Sequence, residues 1–209
     1  GDGDTSTATQ QIDLGGNVKF ADDGPSIALN EGDETKVILT TQDAETIGAA
    51  SDTAVSTADF GGVFTVGASS YGADGAGSTS DISYTLDLAV ADGSDSGLDS
   101  NGANIYLYEI GGEIVGSTAA TRGGVNDGNT VFSLAVDGDG KVTLTQDQEI
   151  DHATPGDTAA PYDGQLAGLG TGLVNLNASV TITDGDGDTS TATQQIDLGG
   201  NVKFADDGP

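Results

Sequence analysis

The pentapeptide Asp184-Gly185-Asp186-Gly187-Asp188 is the strongest candidate for chemistry in this sequence. Its three carboxylates stand at alternate positions with glycine between them, so a tight loop can turn several oxygens towards one point. Calcium takes about 6–8 oxygen ligands, and short Asp side chains in turns suit it. An EF-hand is excluded because, counted from Asp184, the sixth residue is Thr189 and the twelfth is Gln195. The pattern predicts a calcium site, and an acidic hairpin turn without an ion is the alternative.

A second acidic segment, Asp22-Asp23-Gly24-Pro25, is followed by Asn30-Glu31-Gly32-Asp33-Glu34. Pro25 fixes its own φ and restricts Gly24, which is typical of a stiff linker and not of a Gly/Ser tether. A Greek-key sandwich places the turns of one end close to such a linker, so carboxylates from turn, linker and first loop are expected to converge. Like charges at that distance repel strongly unless a cation lies between them. A flexible acidic linker is the alternative.

The remaining polar clusters give weaker signals. Asp137-Gly-Asp139-Gly is typical of a plain hairpin turn, and Asp74 is expected to be a turn residue. The group Asp92, Asp95, Asp99 and Asn101 lies in a Ser/Gly-rich loop that fits a site and a solvated loop equally well.

Enzymatic chemistry finds little support. The sequence has one histidine, His152, and no Gly-x-Ser-x-Gly nucleophile elbow whose serine this histidine could activate. We expect His152 at the surface or in a cap. Nothing singles out a pair of acids for glycoside hydrolysis. We therefore expect no enzyme and no small-molecule substrate.

Composition excludes further classes of function. The 209 residues carry 34 acidic and 5 basic side chains, a net charge of −29 that disfavours nucleic-acid binding. There is no Cys for disulfides or thiolate metal sites, and no apolar run approaches the roughly 18 residues of a membrane span. The acidic residues are 28 Asp and 6 Glu, and with 34 Gly they indicate a chain built from turns instead of helices. Disorder is the alternative, which ordered alternation of apolar residues argues against.

A perfect repeat organises the chain, because residues 1–25 and 185–209 are identical letter for letter. The offset of 184 positions is the period of a tandem array. We expect residues 1–21 to be the terminal strand of a preceding repeat, 22–25 a linker, 26–205 one complete module, and 206–209 the start of the next linker. Since 1–21 and 185–205 fit the same place in a sandwich, one copy is expected to lack its native sheet and to be available for pairing with a neighbouring chain.

Strand-period alternation recurs and helix period does not. Apolar residues alternate from Ile82 to Val90, from Phe132 to Val136 and from Val174 to Ile182, with Gly-rich or Asp-rich turns between them. The sequence therefore predicts an all-β fold, an immunoglobulin-like antiparallel β-sandwich with long Asp/Gly-rich loops.

Four stretches of the sequence are distinctive: Leu39-Thr-Thr-Gln-Asp-Ala-Glu-Thr-Ile-Gly48, Tyr71-Gly-Ala-Asp-Gly-Ala-Gly77, Val180-Thr-Ile-Thr-Asp-Gly-Asp-Gly-Asp188 and Phe204-Ala-Asp-Asp-Gly-Pro209. In these stretches the chain resembles the large tandem repeats of giant bacterial RTX adhesins, which are exported by type I secretion. The resemblance implies immunoglobulin-like extender modules joined end to end on the bacterial surface, with neighbouring identical repeats as partners, projecting binding domains for adhesion and biofilm formation. The Gly-Gly-x-Gly-x-Asp nonapeptide is absent, so a calcium site here needs another design.

The resemblance also implies that Ca²⁺ stiffens the junctions between modules. By motif match, its ligands would be drawn from Asp22, Asp23, Glu31, Asp184, Asp186, Asp188, Asp206 and Asp207. A calcium-dependent carbohydrate-binding adhesin module is the alternative. Such a module needs an open coordination position or an aromatic platform, and the chain offers 5 Tyr and 5 Phe, many at alternating core positions.

Overall fold

The computed structural model describes residues 1–19, 23–48, 52–153 and 165–206. These residues form fifteen strands and three single-turn 3₁₀ helices, Asp43–Glu45, Gly61–Val63 and Arg122–Gly124. The strands are β1 (Ser26–Glu31), β2 (Leu39–Gln42), β3 (Ala54–Asp59), β4 (Phe64–Ser70), β5 (Ala76–Thr79), β6 (Ser83–Leu88), β7 (Ser94–Ser100), β8 (Ala103–Ile110), β9 (Glu113–Ser117), β10 (Thr130–Val136), β11 (Lys141–Gln146), β12 (Leu166–Gly168), β13 (Val174–Asp184), β14 (Thr189–Asp197) and β15 (Val202–Ala205). Within the described ranges no helix is long and apolar enough to cross a membrane.

The strands form four sheets that enclose one apolar core. The largest has the order β3-β11-β10-β9-β8-β7, and the second is built on β13, which pairs with β14 on one side and with β5 and β6 on the other. A third sheet, β12-β15-β2, contains the parallel pair β15–β2, and β1 pairs with β4. Residues of both large sheets belong to the same buried cluster. The predicted all-β sandwich is thereby confirmed.

Strand β13 shows how alternation builds this core. Its residues Leu176, Ala178, Val180 and Ile182 are buried, and the polar residues between them are only partly so. A strand turns successive side chains to opposite faces, so one face of β13 enters the core while the other stays polar. Leu134 on β10 and Leu144 on β11 are buried in the same apolar cluster.

The two repeated segments adopt different structures. We call residues 1–19 the N-terminal copy and residues 185–203 the C-terminal copy. The C-terminal copy forms β14 and the start of β15, whereas the N-terminal copy contains no strand and is exposed at every residue. In this single chain the module is completed by the C-terminal copy.

Both copies nevertheless share the same local contacts. The N–H of Gly15 donates to Oδ1 of Asp13 at 2.8 Å, and the N–H of Gly199 donates to Oδ1 of Asp197 at 2.8 Å. A turn closes between Asn17 and Leu14 in the first copy, and between Asn201 and Leu198 in the second. The copies therefore differ in their long-range contacts and not in their turns.

Candidate metal site

The alternation of β13 continues into Asp184, the last residue of that strand. Asp184 stands two positions after Ile182 and is buried like the apolar residues before it. Its position is thus set by the strand and not by the turn that follows. A carboxylate is costly to bury unless it is paired, hydrogen-bonded or bound to a metal.

Only one oxygen of this buried carboxylate is satisfied by the protein. Oδ1 of Asp184 accepts the N–H of Gly187 at 3.1 Å and the N–H of Asp188 at 2.8 Å, which closes the hairpin between β13 and β14. Oδ2 is fully buried and has no hydrogen-bond partner in the part of the chain that the structure describes. An acceptor in that position calls for a proton or a cation.

A second turn brings another carboxylate to this place. The N–H of Gly185 donates to the carbonyl of Gly75 at 3.0 Å, so the 72–75 turn before β5 lies against the 184–188 turn. The close approach depends on glycine, because a Cβ on Gly185 would overlap the carbonyl of Asp74, and one on Gly77 would overlap the carbonyl of Asp184. The two turns therefore meet backbone to backbone.

Three carboxylates converge as a result. Oxygens of Asp74, Asp184 and Asp186 all lie within 4.8 Å of one another. Two oxygens bound to one calcium at about 2.3–2.6 Å are at most about 5 Å apart, so this spacing suits a single ion. We call these three residues the Asp triad. It offers three of the oxygens that calcium needs, and backbone carbonyls or water would supply the others.

The electrostatics of the Asp triad are those of groups competing for one proton. Burial acts to raise the pKa of Asp184, but hydrogen bonds from Asp186 and from the N–H groups of Asp188 and Gly187 outweigh it and leave that pKa below its usual value. The pKa of Asp186 is raised, chiefly by its hydrogen bond to Asp184, and further by burial and by the charges of Asp184 and Asp74. Two carboxyl groups share a hydrogen bond only while one is protonated. When both are ionised, the carboxylate of Asp184 faces like charge, and its Oδ2 has no donor among the described residues.

The linker also reaches this end of the fold. The N–H of Ala73 donates to Oδ2 of Asp23 at 2.7 Å, so the linker carboxylate is bonded to the turn that carries Asp74. The convergence of carboxylates from the Asp-Gly-Asp turn, the linker and the first loop stays a prediction, because this contact joins Asp23 to the backbone of the 72–75 turn.

The predicted ligands divide into three groups. Asp184 and Asp186 are brought together in the Asp triad, and Asp23 is hydrogen-bonded to the turn that carries Asp74. Glu31, Asp188 and Asp206 are not among the three carboxylates that converge within the described residues: Glu31 ends β1, Asp188 bonds to Asp184 through its backbone, and Asp206 follows β15. Asp22 and Asp207 lie outside the described residues.

Sequence reasoning missed Asp74, which was expected to be a simple turn residue. Asp74 lies far from Asp184 and Asp186 along the chain, and only the pairing of β5 with β13 brings the two turns together. The available signal was the Asp-Gly-Ala-Gly pattern, in which glycines permit another backbone to approach closely.

Several carboxylates in the other acidic loops accept hydrogen bonds from the protein. Oδ1 of Asp137 accepts the N–H groups of Asp139 and Lys141, each at 2.9 Å, as in a plain hairpin turn. Asp95 accepts the amide of Asn104 at 2.8 Å, and Asp92 accepts the guanidinium of Arg122 at 3.0 Å. Asp137, Asp95 and Asp92 therefore each have a hydrogen-bond donor within the protein.

His152 is not the surface or capping residue expected from the sequence. Its side chain is buried, and its Nε2 lies 3.3 Å from Oδ2 of the equally buried Asp43. Oδ1 of Asp43 accepts the side-chain amide of Gln146 and the N–H of Ile150. Burial is the main cause that raises the pKa of Asp43 to about 6. Together these contacts hold the 3₁₀ turn after β2 against the end of β11 and the segment that follows it.

A family model described as a domain of unknown function, DUF5801, matches residues 29–199. The matched range includes the whole Asp triad. No curated protein and no solved structure gives a significant match to the chain. Because the family model spans well over half of its length, the chain belongs to the DUF5801 family.

Proposed function

We propose that this chain is a structural extender module of a bacterial surface adhesin, stiffened outside the cell by calcium at the junction between modules. The observation that carries the proposal is the buried carboxylate of Asp184: its Oδ2 has no hydrogen-bond partner among the described residues, and one of its oxygens lies within 4.8 Å of oxygens of Asp74 and Asp186. It points to a cation that completes the fold, and the linker contact of Asp23 ties that cation to the junction.

Charge supports a divalent cation. Three carboxylates within 4.8 Å repel one another, and the chain as a whole carries a net charge of −29. A proton relieves part of this repulsion only at acidic pH, since Asp side chains are ordinarily ionised above about pH 4. Calcium relieves it at neutral pH and accepts carboxylate oxygens at this spacing.

The repeat extends this arrangement to the next module. Residues 206–209 have the same sequence as residues 22–25, so Asp207 corresponds to Asp23. In an array, Asp207 would accept the Ala73 N–H of the following module as Asp23 does here. An ion held in the 72–75 and 184–188 turns would then stiffen the turn to which each linker is bonded.

The difference in free calcium between the inside and the outside of the cell would determine where the module becomes rigid. Free calcium is scarce inside the cell, where repulsion within the Asp triad would loosen the chain for export. Extracellular calcium sites have Kd values of about 10⁻⁴–10⁻³ M, which suit millimolar calcium. Binding outside the cell would then stabilise the folded module by linkage.

Calorimetric titration of the full chain with CaCl₂, together with thermal melting in calcium and in chelator, tests the proposal. We expect Tm to rise on adding calcium, and Asp184→Asn to weaken binding by about tenfold or more, because it removes a charged ligand oxygen. Asp139→Asn is the matched control, since it removes the same charge from a similar Asp-Gly-Asp-Gly turn that lies outside the Asp triad. Equal affinities of the two variants, or a Tm unchanged by chelator, would refute the calcium site.

A chain of two modules tests the spacer role. Small-angle scattering should give a larger maximum dimension in calcium than in chelator. We expect Asp207→Asn to reduce this difference while leaving the Tm of each module nearly unchanged, because its contact lies between modules. Dimensions that do not respond to calcium would refute the stiffening.

A further inference from the structure

A second group of buried polar side chains lies outside the Asp triad, where β2 and β11 end. The alternation of β2 buries Thr41 and, two positions later, Asp43. Gln146, the last residue of β11, is buried and donates its side-chain amide to Oδ1 of Asp43. The buried side chain of His152 lies beside the other oxygen of Asp43. A hydroxyl, an amide, a carboxyl group and an imidazole therefore share one part of the interior.

Three of these side chains carry a fully buried polar atom that has no hydrogen-bond partner among the residues described. The atoms are Oγ1 of Thr41, Oε1 of Gln146 and Nε2 of His152. Nε2 of His152 lies 3.3 Å from Oδ2 of Asp43, close enough for an ion pair, but the two are not aligned for a hydrogen bond. Buried polar groups are nearly always hydrogen-bonded, so three exceptions on neighbouring segments call for an explanation.

Contacts on both sides of Thr41 hold β2 against the paired strands β3 and β11. The N–H of Thr40 donates to Oγ of Ser56 at 3.1 Å, and Ser56 pairs with the residue of β11 that stands two positions before Gln146. On the other side of Thr41, Asp43 contacts Gln146 itself. Strands β2 and β11 are in contact along this stretch. The buried hydroxyl of Thr41 is thereby held beside the end of β11 that carries Gln146.

The four side chains have the chemistry that an acyl transfer requires. The hydroxyl of Thr41 is a nucleophile, the side-chain amide of Gln146 is an acyl donor, and the imidazole of His152 is a base. Burial is the main cause that raises the pKa of Asp43 to about 6, so this carboxyl group binds a proton more tightly than an exposed one. It also contacts the amide nitrogen that has to leave. Burial keeps bulk water, the competing nucleophile, away from the amide.

We propose that Thr41 and Gln146 react with each other to form an ester bond that links β2 covalently to β11. Oγ1 of Thr41 attacks Cδ of Gln146, and the hydroxyl proton passes to His152. The bond between Cδ and Nε2 of Gln146 then breaks, and the nitrogen leaves as ammonia with a proton from Asp43, which His152 restores. One hydroxyl and one amide give one ester and one ammonia, so the step needs no oxidant and no further reactant.

Such a bond would give the module a covalent brace. The sequence has no Cys and therefore no disulfide. A cross-link between positions far apart in the chain stabilises a fold mainly by restricting the unfolded state. The ester goes beyond the proposed spacer role, and it does not depend on whether the Asp triad binds an ion, because none of its four residues belongs to the triad.

Mass spectrometry of the full chain, denatured after purification, tests the proposal. Loss of ammonia should lower the intact mass by about 17 Da from the value calculated from the sequence. Trypsin cleaves after Lys and Arg, and should therefore release peptides 37–122 and 142–203 as one cross-linked species. Mild alkali should separate the two peptides, since hydroxide hydrolyses an ester far faster than an amide.

Variants of Thr41 identify the nucleophile. Thr41→Val removes the hydroxyl at similar volume and should abolish the mass loss and the linked peptides, whereas Thr41→Ser keeps a hydroxyl and should retain both. Thr57→Val is the matched control, because Thr57 lies on a neighbouring strand with its hydroxyl bonded to that of Thr143 at 3.0 Å, and it should stay cross-linked. His152→Gln should form the bond about 100-fold more slowly, because it removes the base.

Two results would overturn the proposal. A wild-type mass equal to that calculated from the sequence would show that the buried atoms are satisfied in another way and that no bond forms. The same mass loss in Thr41→Val, without linked peptides, would place the lost ammonia elsewhere, for example at Asn101-Gly102, where an asparagine side chain can close to a succinimide. Neither result depends on the calcium affinity of the Asp triad.

Discussion

Replacing one leucine in each copy measures the effect of tertiary burial on an unchanged local sequence. Leu198 is fully buried, and its twin Leu14 is 58% exposed, with the same neighbours on both sides. We expect Leu198→Ala to destabilise the fold strongly and Leu14→Ala to have little effect.

The magnitude follows from the removed side-chain atoms. Three carbon atoms at about 0.8 kcal/mol each give about 2.4 kcal/mol of lost transfer free energy. The cavity left behind brings the usual total for a buried Leu→Ala change to about 2–5 kcal/mol. A substitution at an exposed site such as Leu14 changes the free energy of unfolding by less than about 0.5 kcal/mol. The two variants have almost the same unfolded state, so effects on that state largely cancel.

Thermal and urea unfolding in calcium-containing buffer would measure the difference. A loss of about 3 kcal/mol lowers the Tm of a chain of this size by about 6–12 °C. Leu198→Ala should show that shift, and Leu14→Ala should melt with the wild type. If both variants lose the same stability, the N-terminal copy is packed in a fold and the difference between the copies described above is wrong.

Three further substitutions, one of them with a matched control, test the interior and the Asp triad. Burial raises the pKa of Asp43 to about 6, so the folded state binds this proton more tightly than the unfolded chain, where the pKa is about 3.9. The stability that Asp43 contributes is then complete below about pH 4 and lost as the pH rises to about 6, a change of about 3 kcal/mol. Asp43→Asn should remove that loss. In urea unfolding from pH 4 to 7, the free energy of unfolding of the variant should therefore rise relative to that of the wild type. If the two free energies change with pH in the same way, the prediction is wrong. Gly116→Ala should lower the free energy of unfolding by about 1–3 kcal/mol, because the added Cβ would overlap the buried ring of Phe132. Gly123→Ala is the control, because a Cβ there meets no other atom, and this variant should unfold at the same urea concentration as the wild type. Gly185→Ala should push Asp74 away from Asp184 and weaken calcium binding in the titration, and an unchanged affinity would show that the two turns need not touch.

Local patterns in the sequence were sufficient for several of the strands and for two of the three residues of the Asp triad. The alternation from Val174 to Ile182 predicted β13, and the Asp-Gly-Asp turn after it predicted Asp184 and Asp186 as ligands. Both signals lie within a few residues, where the period of a strand and the chemistry of a turn act directly.

Residues whose role depends on distant partners could not be found in this way. Asp74 joins the Asp triad only because β5 pairs with β13 and two glycines let the turns touch. His152 is buried because Asp43, far along the chain, lies beside it. The partners of Asp74 and His152 cannot be identified from neighbouring residues in the sequence, because contacts between distant segments of the fold bring them together.

The repeated segment separates the two kinds of information. By itself the sequence determined the hydrogen bond of Gly15 to Asp13 and the turn between Leu14 and Asn17, because both recur in the C-terminal copy. It did not determine whether the segment becomes strand. Only the tertiary structure decided that, because a strand needs a paired edge and a core to cover its apolar face, and β13 offers both to the C-terminal copy alone.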